Sequence, residues 1–118
     1  MSRTPEGRVK DAVTKILKDR GAYYFFPTTG GFGRSGVPDI IACYKGHFLG
    51  IECKAGSNNP TPLQLAELAK IDKALGVSMV VNEKNLGELA LLLDASRSRE
   101  SCSRASGSMR SERTMGAR

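Results

Sequence analysis

A chain of 118 residues has room for one domain with one modest core, and not for two. Hydrophobic residues make up 40 % and charged residues 25 %, which excludes a wholly disordered chain, and no apolar run approaches the ~20 residues of a membrane-spanning helix. The net charge is +6, but residues 1–95 hold 12 Lys and Arg against 10 Asp and Glu, while residues 96–118 hold six Arg against two Glu. The excess lies mostly in the tail, so charge favours a polyanionic partner without proving one.

The first helix is signalled by Thr4 as cap and Pro5 in the first turn, with Val9, Ala12, Val13, Ile16 and Leu17 at helical spacing and Gly21 as its end. Residues 22–26 read as a short aromatic strand. The segment 27–36 holds four glycines and reads as a mobile loop. Residues 39–44 and 47–54 read as two strands folded into a hairpin by Lys45-Gly46.

After a polar loop, Thr61 and Gln64 have capping-box spacing and start a second helix. Leu65, Leu68, Ile71 and Leu75 would carry its apolar face, with Gly76 closing it. Residues 77–81 read as a strand buried on both faces. A last helix runs from about Leu86 to Leu93, capped by Asn85. The order αβββαβα predicts an α/β domain with a mixed central sheet over residues 1–95. Residues 96–118, rich in Ser, Arg and Gly, have no apolar periodicity and are expected to be disordered.

Cys43, Cys53 and Cys102 form no CxxC pair, so a structural zinc site is not expected. Cys43 and Cys53 read as small buried residues. The odd cysteine count and the lack of a signal-peptide pattern point to a reducing cytosol. The glycine-rich loop lacks GxxxxGK[ST], so no nucleotide cofactor is expected.

Three charged residues stand out against this background. Asp39 opens an apolar strand directly after Pro38, and Glu52 and Lys54 lie two residues apart on the next strand. Strand side chains alternate, so Glu52 and Lys54 share a face, and the hairpin brings Asp39 beside them. Two adjacent carboxylates repel unless a cation lies between them, and oxygen ligands suit magnesium or manganese. A lysine at such a site can hold a water and offset charge at a phosphate.

Pro38-Asp39 followed, after twelve residues, by Glu52-Cys53-Lys54 resembles the PD-(D/E)XK nuclease signature. The segments Gly36-Val37-Pro38-Asp39-Ile40-Ile41, Gly50-Ile51-Glu52-Cys53-Lys54 and Thr61-Pro62-Leu63-Gln64 narrow it. They resemble the virus-type replication-repair nuclease (VRR-NUC) family over roughly residues 5–95. The resemblance implies a restriction-endonuclease-like αβββαβ core with magnesium or manganese held by Asp39, Glu52 and the Cys53 backbone carbonyl. Lys54 would orient the attacking water, Gln64 would line the site, and Glu6 would reach the metal through water. The family's stand-alone members act on branched DNA, including four-way junctions, which implies a phage or bacterial cytosolic setting.

Other readings remain open at the same residues. Gln64 can serve only as the cap partner of Thr61, and Glu6 can simply favour the helix N-terminus. His47 reads as structural. Arg34, with Ser35 beside it, is a candidate phosphate contact. Two cuts across a junction would use two active sites, so a homodimer is expected. A non-catalytic DNA-binding module with the nuclease fold, or a duplex-cutting restriction-type enzyme, are the alternatives.

Overall fold

The sheet is organised by one tight hairpin, β2 (Ile40–Tyr44) to β3 (His47–Cys53), joined by two residues. Lys45 and Gly46 have φ of 53° and 84°, the paired positive values of a primed turn whose twist matches the strands it joins. This turn fixes the register, with Ile40 opposite Ile51 and Tyr44 opposite His47. The computed structural model describes residues 4–28 and 35–96. Most of the glycine-rich loop, the Arg34 candidate and the tail fall outside the described residues.

The remaining elements follow the expected order: α1 (Pro5–Asp19), β1 (Tyr23–Phe25), α2 (Pro62–Lys73), β4 (Val77–Val81) and α3 (Leu86–Ala95). The sheet order is β1-β2-β3-β4. β1 and β3 run antiparallel to β2, and β4 runs parallel to β3, so the sheet is mixed. Thr4 caps α1 by accepting a hydrogen bond from the Gly7 amide at 3.0 Å.

The core lies between one face of the sheet and the pair α1 and α3. Val9, Val13 and Leu17 from α1 pack against Ile40, Ala42, Leu49, Ile51 and Cys53 from the hairpin and against Leu89 and Leu93 from α3. The Arg20 guanidinium pairs with Asp94 through two hydrogen bonds of 2.9 and 3.2 Å and ties the end of α1 to α3. The other face is only partly covered. α2 packs over β3 and β4 through Ile71, whose side chain seats against Gly50 and Gly76. Tyr23, Phe25, Cys43 and Phe48 are left exposed on that face.

Several local expectations change. In α2 only Leu68 is buried, while Leu65 is 52 % exposed on a side that looks into solvent, and Leu75, beyond the end of the helix, is 92 % exposed. The reversal after α2 is made by Leu75 at φ 70°, not by Gly76. β4 is half-buried except at Val81, since it is an edge strand with one neighbour. Asn85 gives α3 no side-chain cap. Its Oδ1 accepts from the Asn82 amide, and its Nδ2 donates to the Val80 carbonyl, so it braces the β4–α3 turn instead. Cys43 is exposed, not buried, because it alternates with Ala42, the residue that faces the core.

Candidate active site

Asp39 stands one residue before β2, and the hairpin register continued by one step sets it opposite Glu52. It lies on the α2 face, since Ile40 after it points into the core. Its position is fixed from both sides. Its Oδ2 accepts a hydrogen bond from the Cys53 amide at 2.9 Å. Pro38 before it is buried and leans on Gly50, where a Cβ would come within 3.2 Å of the proline ring. Gly36, at φ 83°, passes so near the start of α2 that a Cβ there would lie 2.7 Å from the Leu63 carbonyl oxygen.

The Gly36 turn and the N-terminus of α2 are therefore locked together just ahead of Asp39. Gly36→Ala adds a backbone clash to a φ that L residues disfavour. We expect it to lower stability by about 2–3 kcal/mol, from the strain and overpacking together. Its activity should fall further than its folded fraction, because the turn carries Asp39. Thermal melts paired with nuclease assays on the folded variant check this.

Glu52 is the one buried charged residue among the described residues, at 1 % exposure, and neither of its carboxylate oxygens has a hydrogen-bond partner. Lys54, from the same face of the same strand, brings its Nζ to 3.4 Å of Oε2, an ion-pair distance without a hydrogen bond. The Lys54 backbone continues the ladder by donating to the Val81 carbonyl at 2.9 Å. Beyond it, the Gly56 amide donates to both Glu83 oxygens, at 3.0 and 3.1 Å, which ties the following loop to the turn before α3.

Burial pushes the Glu52 carboxyl up to about 7, and the negative charge of Asp39 adds to this, while Lys54 partly offsets it. The Cys53 thiol points to the opposite face and is pushed up to about 12, first by burial and then by Asp39. It stays a neutral core group and has no part as a nucleophile or thiolate ligand.

The structure thus brings Asp39, Glu52, Lys54 and the Cys53 backbone together. Glu6 is half-buried in the first turn of α1, and no group of three His, Cys, Asp or Glu side chains placed to hold a metal forms among the described residues. Gln64 closes the capping box: its Oε1 accepts from the Thr61 amide at 2.9 Å, and its own amide donates to Thr61 Oγ1 at 3.2 Å. Ser35 is exposed in the turn ahead of Asp39. His47 is half-buried at the hairpin turn, far along β3 from Glu52. The positioning roles of Gly36 and Gly50 escape the sequence reading. A glycine inside a strand does signal close approach of another chain segment, but not which one.

Pro38-Asp39 and Glu52-Cys53-Lys54, set side by side on a mixed sheet, have the pattern of a nuclease of the PD-(D/E)XK type. Comparison with known proteins gives the same class. A solved VRR-NUC domain superposes with a TM-score of 0.61 at 26 % identity, covering 74 % of this chain and 95 % of that one. A curated phage protein named "Putative nuclease p44", of Acyrthosiphon pisum secondary endosymbiont phage 1, is 40 % identical over 73 residues, 61 % of this chain and 74 % of that protein. Residues 8–92 match the model of the archaeal Holliday junction resolvase (Hjc) family, and the chain belongs to that family.

Proposed function

We propose that this protein is a divalent-metal-dependent endonuclease that hydrolyses phosphodiesters in branched DNA, such as four-way junctions. The observation that carries the metal is Glu52: a carboxylate at 1 % exposure with neither oxygen hydrogen-bonded, set against a second carboxylate. Such an arrangement is costly in a metal-free protein and suits a hard cation with oxygen ligands, magnesium or manganese. Asp39, Glu52 and the Cys53 carbonyl would hold it. When bound, the ion polarises the phosphoryl oxygen and makes water a better nucleophile near neutral pH.

The chain's own groups supply the rest. The Cys53 amide holds the Asp39 carboxylate in one orientation. Lys54 Nζ, beside Glu52, orients the attacking water and offsets the charge that grows on the phosphate. Ser35 and Arg34, just ahead of Asp39 in the chain, would contact the DNA backbone. The likeness to a phage nuclease supports the cytosol of a bacterial or phage-infected cell as the setting.

Cleavage of four-way, flap and linear duplex substrates, with magnesium, manganese or chelator, tests this reading. It expects cutting of branched substrates only when a metal is present. Equal cutting of linear duplex would favour a restriction-type enzyme. Metal-indifferent binding without cleavage at any pH would favour a non-catalytic module.

A four-way junction presents two symmetric strands to cut, and we assign the second active site to a second copy of the chain. The support is the sheet face that α2 leaves open, where Tyr23, Phe25 and Cys43 are exposed, and Phe48 is exposed at its border with Glu67 and Lys70 of α2. Light scattering at assay concentration should give twice the chain mass, and a monomer throughout would remove the dimer from this account.

A further inference from the structure

Phe26 is a large apolar side chain left 49 % exposed at the active-site end of the sheet. The register explains its place. Phe25 pairs with Ile41, so the next step sets Phe26 beside Ile40, the residue after Asp39. From the strand that leads to Phe26 to the strand that carries Glu52 is two strand spacings, about 10 Å. Phe26 lies on the α1 side, where its ring meets Tyr24 edge-on at 6.1 Å. Lys10 of α1 holds its Nζ 5.8 Å from the centre of the Phe26 ring. α1 packs against β3, and Val9, one residue before Lys10, lies in the same core as Cys53 at the end of β3.

An exposed ring and an ammonium together, at the same end of the sheet as Asp39 and Glu52 but on its other face, are the two parts of a single-strand contact for DNA that passes around this end: a face for a base and a charge for its phosphate. The ring has no hydrogen-bonding group, so it offers only its face. A base inside a duplex already has both faces stacked. A base at a branch point has lost a neighbour and has a face to give.

We propose that Phe26 and Lys10 form a subsite for one nucleotide at the branch point whose base has lost a stacking neighbour, with the base stacked on Phe26 and its phosphate met by Lys10. The inference rests on the branched-DNA reading above and deepens it. Phe26 selects the branch by a property that duplex lacks, and so sets which phosphate reaches Asp39 and Glu52.

Steady-state cleavage of a four-way junction and of a linear duplex by the full chain tests it, with Phe26→Leu, Phe26→Trp and Lys10→Gln variants. Leucine keeps apolar contact with Tyr24 but cannot stack. Phe26→Leu should raise the junction KM roughly 5- to 100-fold, the range of one lost base stack, and leave kcat near wild type. Phe26→Trp should restore KM. Lys10→Gln should lower the slope of log affinity against log salt by about one. A 2-aminopurine at the branch should lose fluorescence on binding wild type and Phe26→Trp in chelator, and keep it with Phe26→Leu. An unchanged junction KM in Phe26→Leu, or an equal loss on junction and duplex, would overturn the subsite and leave Phe26 as rim packing. If wild type cuts no branched DNA, the parent reading fails instead, and the two failures are distinct.

Discussion

Asp39→Asn should abolish metal-dependent cleavage, lowering the rate on a four-way junction by at least about 10³-fold, while the protein stays folded. The asparagine oxygen can still accept the hydrogen bond that Asp39 Oδ2 takes from the Cys53 amide, so the local backbone is kept. What is lost is the charge. Asp39→Ala should be as inactive, but it also leaves the Cys53 amide without its acceptor, a cost of about 1–3 kcal/mol for a buried group. Removing the negative charge beside Glu52 offsets part of this. A normal cutting rate in Asp39→Asn, measured on protein with an unchanged melting profile, would show that the catalytic centre lies elsewhere.

Glu52→Gln should be equally inactive and, without metal, more stable than wild type at pH 8. The folded protein holds the Glu52 carboxyl at about 7, above its ordinary 4.5, because burial and Asp39 disfavour its ionised form. The stability linked to this proton is fully present below pH 4.5 and is lost as pH rises to about 7. A displacement of that size corresponds to something on the order of 3 kcal/mol. Melting in chelator from pH 5 to pH 8 should therefore show wild type losing stability relative to Glu52→Gln. Magnesium should narrow the gap at pH 8 and act little at pH 5, since binding requires the carboxylate and releases a proton. Parallel melting curves for the two proteins across this range would contradict the burial of a carboxylate without hydrogen bonds.

Much of this site is written in local chemistry. Pro38-Asp39, the alternation from Glu52 to Lys54 and the Lys45-Gly46 turn each follow from the geometry of one hairpin, and a hairpin register is set by few residues. The first helix is equally local, with its cap and one apolar stripe that the core takes up. The parts that escape depend on what covers what. Leu65 and Leu75 have helical spacing, but Leu65 looks into solvent and Leu75 falls beyond the last turn of α2, so both stay exposed. Cys43 and Ala42 look alike in sequence, yet one faces the core and the other the open face.

The site shows the same division. Thr61 and Gln64 carry their cap in their spacing, and the structure spends the Gln64 oxygen on that cap. Glu6 sits on a helix whose approach to the sheet end is a tertiary matter, which its place in the first turn of α1 does not reveal. Phe26 reads in sequence as one more strand aromatic. Its exposure, and its pairing with Lys10 across from another element, emerge only when α1 lies against the sheet.

Diffraction from crystals soaked in manganese, read at the metal's absorption edge, tests the central claim most directly. The account predicts anomalous density within bonding distance of the Asp39 and Glu52 carboxylates and the Cys53 carbonyl, lost in Asp39→Asn crystals. Density elsewhere, or none at these carboxylates at saturating manganese, would contradict it.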